Sequence, residues 1–306
     1  MNIQEIKTKK ILWIHINKPT RVEMDYLKEN YNFHHLDLED CLVRVQRPQI
    51  SEYHNYIFCI LTFPVFNKTT REIESSEVDF FISDKYLISL TDGLNPTVND
   101  FFKEVKNNDY NKTTYMSAHP VNLLYEILHR LQNNTLPMLD HVSEDIESVE
   151  KRIFLGEEKK VVREILNVRR NIVNLRKIMQ AHKNIIKKLM DSRTKFFMPD
   201  QTNIYFANIL DRTKDIWDLL ETQKENINAF QETNESLISN KSNDIMRILT
   251  IISVIIIPAT LLSSIFGMNV QYMPIVNQPY DFWLILGIML CIMLCFLAFF
   301  RKKDWL

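Results

Sequence analysis

The sequence predicts an α+β soluble domain, then one long helix that continues into the first of two membrane-spanning helices. Three observations predict it. Two apolar runs stand late in the chain: Ile245 to Met268, where Arg247 is the single charge, and Phe282 to Phe300, which has none. As a helix the first run reaches about 36 Å, enough to cross a hydrocarbon core of about 30 Å. Between Asp200 and Phe266 no Pro or Gly intervenes except Pro258, so a single helix of roughly 100 Å is open to the chain. The N-terminal region instead carries short runs of Ile, Phe, Val and Tyr set between turns, the mark of strands.

Residues 1–118 read as a cytoplasmic α/β domain. Ile11 to Ile16, Tyr56 to Phe66, Ser76 to Ile82 and Tyr86 to Thr91 are the expected strands, with helical pieces at Arg21 to Asn30 and Asp100 to Lys106. The polar start, Met1 to Lys10, leads only to a strand-length apolar run and does not read as a secretory signal. His34, His35, Asp37, Glu39, Asp40 and Cys41 concentrate possible metal ligands. A solvated helix start explains them better, with Asp37 as cap and Glu39-Asp40 in the first turn. Gly93 is the region's single glycine, so no phosphate-binding glycine loop exists there, and no nucleophile–base–acid set stands out. An enzyme is not expected, nor a cofactor. Cys41 and Cys59 are too few for a disulfide framework.

Residues 119–198 read as an antiparallel helical hairpin. Its first helix, Asn122 to Phe154, turns acidic late, and after Gly156-Glu-Glu the second, Lys159 to Met190, is basic. Mutual neutralisation of the two is expected rather than nucleic-acid binding. Met198-Pro199-Asp200 breaks the chain and starts the stalk, 199–244. The first span, 245–269, is followed by an extracytoplasmic loop, 270–281, the second span, 282–300, and a basic tail, 301–306. Lys241, Arg247, Arg301, Lys302 and Lys303 flank the spans on one side, while the loop has no Lys or Arg. Both termini are therefore expected in the cytoplasm, with lipid as a partner. Cys291 and Cys295 share a face of the second span, where packing or lipid exposure explains them better than a metal.

The first span is not uniformly apolar. In steps of three and four, one face reads Asn243, Met246, Thr250, Ser253, Ile257, Thr260, Ser264, Gly267. Small and hydroxyl residues suit close helix packing. They also suit a water-filled path built by several copies, since two spans cannot enclose one. Phe266-Gly267-Met268-Asn269 follows, and here the chain resembles the CorA-type magnesium channel family. The resemblance rests on Gly267-Met268-Asn269 closing the first of two C-terminal spans. Ser239-Asn-Lys-Ser-Asn leading in, Pro258, Met273-Pro274 and the basic end Arg301-Lys302-Lys303 support it. Leu36-Asp37-Leu38-Glu39-Asp40, Gln46-Arg47-Pro48 and Glu52-Tyr53 are similar to the family's N-terminal domain.

The resemblance implies a CorA-like funnel, a homopentamer, and Mg²⁺ as both transported and regulatory ion. Gly267, Met268 and Asn269 would form the selectivity filter, with Asn269 amide oxygens binding an ion that sheds water reluctantly. The stripe from Asn243 to Ser264 would line the pore. Phe266 stands where the family commonly has Tyr, and Ile275-Val276 stand where it usually has an acid after Met-Pro. Asp281 is the acid left in the loop to attract cations. The family also senses cytoplasmic Mg²⁺ through acids between subunits on the stalk. The matching position is Asn208, with Asp211, Asp215 and Asp218 nearby. Within the same class, Co²⁺, Ni²⁺ or Zn²⁺ is the runner-up cargo, but softer metals favour His or Cys, which the stripe lacks. A membrane-anchored signalling protein is the alternative from another class, and it would need no polar stripe through the bilayer.

Overall fold

The computed structural model describes residues 2–43, 47–192, 199–268, 280–303 and 305. The chain divides into two compact units, Met1–Gln231 and Glu232–Leu306.

The first unit begins with β1 (Ile3–Lys7) and β2 (Leu12–Asn17), then α1 (Arg21–Tyr31) and α2 (His35–Asp40). Next come β3 (Gln49–Glu52), β4 (Ile57–Asn67), β5 (Glu72–Ile82) and β6 (Tyr86–Thr91). Helices follow: α3 (Thr97–Asn107), α4 (Asp109–Tyr115), α5 (Pro120–Asn133), α6 (Leu136–Phe154), α7 (Glu158–Met179) and α8 (His182–Asp191). The last two are α9 (Pro199–Phe266), whose side chains are described from Asn203 on, and α10 (Asp281–Lys302).

The six strands form one sheet in the order β1-β2-β6-β5-β4-β3, with β2 and β6 parallel and the other pairs antiparallel. β4 reads as a continuous apolar run because both sheet faces are covered. Its Ile57, Cys59, Leu61 and Phe63 enter one core with side chains of α3, α5, α8 and α9. Phe58 and Ile60 enter the other core with Met24 and Leu27 of α1 and Leu38 of α2. The alternation is the period of two that a strand imposes.

Two strands escape the sequence reading. β1 carries Lys, Glu and Gln and is an edge strand with only Ile6 buried; polar edges are one way sheets avoid further pairing. β3 is a four-residue edge strand, too short for an alternation to show.

The helix expected from Asn122 to Phe154 is broken in two at Asn134-Thr135. Pro137 is the reason: it cannot donate to a preceding carbonyl and crowds the turn before it, so it sits at the start of α6. The basic helix likewise divides, into α7 and α8. Neutralisation also differs from expectation. Arg152 of the acidic helix pairs with Glu164 of the basic one, the reverse of the composition. The arginines of α7 reach elsewhere, Arg170 to Glu72 on β5 and Arg176 to Glu221 on α9.

Asn171 and Asn174 tie α7 to the β5 end of the hairpin. Asn171 Oδ1 accepts from Ile73 N at 3.0 Å, and Asn174 Nδ2 donates to Ile73 O at 2.9 Å. His182 is buried and donates Nε2–H to Thr62 O at 2.6 Å. Burial lowers its pKa to about 4, against a smaller opposing pull from that bond. Buried His15, bonded to Ser89 Oγ at 3.1 Å, is lowered to about 4 for the same reason.

Gly93 (φ +80°) lies in the left-handed region, and a Cβ there would meet the Lys18 side chain at 2.4 Å. The conformation calls for glycine, and a Cβ would also push the Lys18 side chain aside.

In the first unit α9 buries Phe206, Ile209, Thr213, Ile216, Leu220, Gln223 and Ile227, spaced three and four apart. Two glutamines bond polar groups at this seam. Gln132 Nε2 donates to Thr213 Oγ1 at 2.8 Å, and Gln223 Nε2 to Leu139 O at 2.9 Å. Arg176 also lies over the Trp217 ring, 4.7 Å from its centroid.

Candidate functional site

Among the described residues, two helices are long and apolar enough to cross a membrane, the later part of α9 and α10. Along the apolar part of α9, Ile251 and Ala259 are buried, and Arg247, Val254, Ile255, Pro258, Leu262 and Phe266 are half-buried. These positions share one side of the helix. Asn243, Met246, Thr250, Ser253, Ile257, Thr260, Ser264 and Gly267 lie on the other side, and every one is exposed. The stripe read from the sequence is therefore one face, turned away from the half-buried side of its own unit.

Three hydroxyls on that face are oriented. Thr250 Oγ1 donates to Met246 O at 2.8 Å, Ser253 Oγ to Leu249 O at 2.8 Å, and Thr260 Oγ1 to Ile256 O at 3.0 Å. Each hydroxyl has one proton and two lone pairs. With the proton given to the helix, only acceptor lone pairs remain outward. A column of acceptors suits the water hydrogens of a hydrated cation better than it suits an anion. Pro258 lacks an N–H, so the Val254 carbonyl in mid-span loses its helical partner.

At the end of α9, Gly267 N donates to Ser263 O at 2.9 Å and Met268 N to Ile265 O at 3.2 Å. Gly267 is not among the residues of positive φ. An added Cβ would stand 3.1 Å from Ser263 O of the preceding turn, a tight contact. Asn269 and the loop carrying Met273-Pro274 lie outside the described residues.

Asp281 is placed differently from expectation. It is not a loop residue but the first of α10, and its Oδ1 accepts from Phe282 N at 2.6 Å. Its charge also lies where the helix dipole favours an anion. Arg301 and Lys302 form the last turn of α10 and Lys303 caps it, all three exposed. Trp305, which the sequence reading passed over, folds back on this end. Its signal was an aromatic residue just past a basic run.

On the stalk, Asn208, Asp211, Asp215 and Asp218 are exposed and share the side of α9 opposite its buried seam. Asp211 Oδ1 accepts from Lys214 Nζ at 2.8 Å, and that bond raises the Lys214 pKa. Among the described residues, no group of three or more His, Cys, Asp or Glu converges within the chain in a way that holds a metal.

The His34–Cys41 cluster is a helix, as expected, but capped by His34 rather than Asp37: His34 Nδ1 accepts from Leu36 N at 3.3 Å. Asp37 is buried and accepts from Tyr53 Oη at 3.0 Å and Tyr56 Oη at 2.9 Å. Burial raises its pKa, partly offset by those two bonds. Asp40 accepts from Gln49 Nε2 at 2.8 Å, and Cys41 is buried. The cluster ties α2 to β3 and the turn that follows it, and does not converge on an ion.

Comparisons with known proteins bear on the family and the fold. Residues 8–302 match the family described as "CorA-like Mg2+ transporter protein". The cobalt/magnesium transport protein CorA of Thermotoga maritima is 28% identical over 296 residues, covering 96% of this chain and 83% of that protein. The cobalt/magnesium transport protein CorA of Methanocaldococcus jannaschii is 24% identical, covering 97% and 92%. The complete structure of the CorA magnesium transporter from the latter organism superposes with a TM-score of 0.84 over 99% of this chain and 94% of that one, at 22% identity. That likeness gives the fold: an α/β domain, a long helix and a terminal apolar helix. The chain belongs to the CorA-like Mg²⁺ transporter family.

Proposed function

We propose that this chain is the subunit of a homopentameric divalent-cation channel of the plasma membrane that lets Mg²⁺ into the cell down the membrane potential. Its termini are cytoplasmic, and cytoplasmic Mg²⁺ closes it. The supporting observation is the exposed face of α9, where the Thr250, Ser253 and Thr260 hydroxyls have spent their protons on their own helix. Copies arranged around an axis with that face inward would enclose a column of acceptors. Asn269, just after Gly267-Met268, would bind the hydrated ion at the outer end through its amide oxygen.

The driving force is sufficient without a nucleotide. A potential of 100 mV contributes about 2.3 kcal/mol per charge, hence about 4.6 kcal/mol for Mg²⁺. At about 1.4 kcal/mol per decade, this accumulates the ion over a thousandfold, so an ungated path would flood the cell. The exposed stalk face carries the gate in this reading. A regulatory ion bound to Asp211, Asp215 or Asp218 would be shared between subunits and draw the stalks together. Asn208 keeps an oxygen but no charge, so the carboxylates carry the attraction. The relatives named for cobalt and magnesium support Co²⁺ as a second cargo.

Uptake of Mg²⁺, Co²⁺, Ni²⁺ and Zn²⁺ into liposomes holding the full chain, with and without an imposed potential, tests the reading. Potential-dependent Mg²⁺ entry is expected. Thr250→Val, which keeps shape but removes the acceptor, should lower it several-fold, while Thr250→Ser should not. Equal flux through all three would remove the pore-lining assignment.

A further inference from the structure

Arg247 is the single charged side chain between Ile245 and Met268, and it stands one turn inside the apolar run. At 3.6 residues per turn it lies roughly 40° around the helix from Asn243 and roughly 60° from Thr250, at the edge of the hydroxyl face. A side chain of that length reaches across such an angle. A guanidinium laid over the stripe would put a fixed positive charge at the cytoplasmic end of a cation path, repeated once per subunit.

The structure holds it elsewhere. The Arg247 guanidinium lies over the Trp305 ring, 5.5 Å from its centroid. Trp305 is in turn fixed to the end of α10. Its backbone N donates to Phe300 O at 3.1 Å, and its ring stacks on Phe300 with centroids 5.8 Å apart and planes 23° from parallel. Phe300 is buried, the described residue of α10 that anchors this end. A buried ring therefore supports an aromatic ring that supports the cation, a geometry in which the ring's negative face attracts the charge. The half-buried state of Arg247 agrees with a side chain drawn toward α10 and away from the stripe.

We propose that Trp305 is a positioning residue for transport: it tethers Arg247 against the end of the second span and keeps its charge off the cation path. This role rests on the channel reading. It also explains why an aromatic side chain follows the basic residues 301–303, whose charges already lie on α10 and its cap.

The test uses the full chain in liposomes. Trp305→Ala should lower Mg²⁺ uptake about tenfold at low ionic strength, because a ring of like charges no longer drawn over the Trp305 ring shifts toward the path and depletes the ion locally. In roughly 0.5 M monovalent salt, where screening shortens to a few ångströms, the loss should shrink to about twofold. Trp305→Phe should conduct as the unmodified chain does. Adding Arg247→Gln to Trp305→Ala should restore uptake, which a merely structural role of Trp305 would not allow. A double variant that stays as slow as Trp305→Ala, a loss indifferent to salt, or unchanged uptake by Trp305→Ala would each overturn the tether. The contact has its own readout in ¹⁹F NMR of detergent-solubilised chain labelled with 5-fluorotryptophan. The line that Trp305→Phe removes should move on Arg247→Gln, and a stationary line overturns the contact. Absence of cation flux in the unmodified chain would remove the channel reading and this role with it, while the NMR line still reports whether the two side chains touch.

Discussion

Single residues in this chain are placed by what they must bond rather than by what they could ligate. Asp37 is the clearest. It belongs to a run of His, Asp and Cys, yet it is buried with both oxygens taken by tyrosine hydroxyls. Asp37→Ala should destabilise the first unit by about 1–3 kcal/mol, since the tyrosine donors lose their acceptor in a buried site. Thermal unfolding of the full chain in detergent, followed by aromatic circular dichroism, measures it; an unchanged midpoint would mean the tyrosines find other partners. His15 and His182 give a pH dependence of defined sign. Both have folded-state pKa values lowered by burial to about 4, from 6.5. Above pH 6.5 both states are neutral and the pair costs nothing. As pH falls from 6.5 toward 4 the unfolded chain takes up protons that the folded chain refuses, so stability is lost across that window. By pH 5 the loss is about 2 kcal/mol per histidine. His182→Gln, which can still donate to Thr62 O, should flatten the slope between pH 6.5 and 5. A slope identical to that of the parent would assign the effect to other groups.

At the scale of the element, α9 and α10 show how little of a span's role lies in its hydropathy. Within the hydroxyl stripe of α9, from Asn243 to Gly267, only Met246 and Ile257 are large and apolar. In the channel reading a ring of either side chain can exclude water and close the path without filling it. Ile257→Ser should then conduct even when internal Mg²⁺ is high, because a hydroxyl keeps the constriction wet. Liposome flux against internal Mg²⁺ decides this, and normal inhibition in the variant would move the gate away from Ile257. Asp281 is testable because α10 uses it twice, as a charge and as an acceptor for Phe282 N. Asp281→Asn keeps the acceptor. If the charge gathers cations, uptake should fall mainly at low ionic strength. A loss independent of salt would locate the effect in the helix start instead.

Across the whole molecule, α9 belongs to both compact units, since the division at Gln231 falls within it. Its soluble part is seated by apolar contacts, by Gln132 and Gln223, and by the Arg176–Glu221 pair. The exposed side left over carries Asn208, Asp211, Asp215 and Asp218. In an oligomer the three carboxylates would repel unless an ion bridges them. Asp215→Asn with Asp218→Asn should weaken closure, shifting inhibition of uptake by internal Mg²⁺ to about tenfold higher concentration, equivalent to about 1.4 kcal/mol of lost ion binding. Flux titrated with Mg²⁺ inside the liposomes reads the shift, and an unmoved curve would free these acids from any sensing role.

Local pattern alone determined the parts of this protein that local physics governs. The four interior strands announced themselves by β-branched and aromatic runs, and α9 by 66 residues between its Pro199 and Phe266 with Pro258 as the sole interruption. The hydroxyl face was legible because helical periodicity fixes which residues share a side. The sequence missed β1 and β3, because edge strands owe their conformation to a neighbour and not to their own composition. It joined α5 to α6 because apolar periodicity continues across Pro137, and only the missing N–H breaks it. It assigned Asp37 to a cap and Asp281 to a loop, since a carboxylate's partners, Tyr53, Tyr56 and the Phe282 amide, are set by packing and by where a helix begins. The tethering of Arg247 by Trp305 joins side chains 58 positions apart in the numbering. Nothing in either segment specifies the other; folding the second span back against the first brings them together.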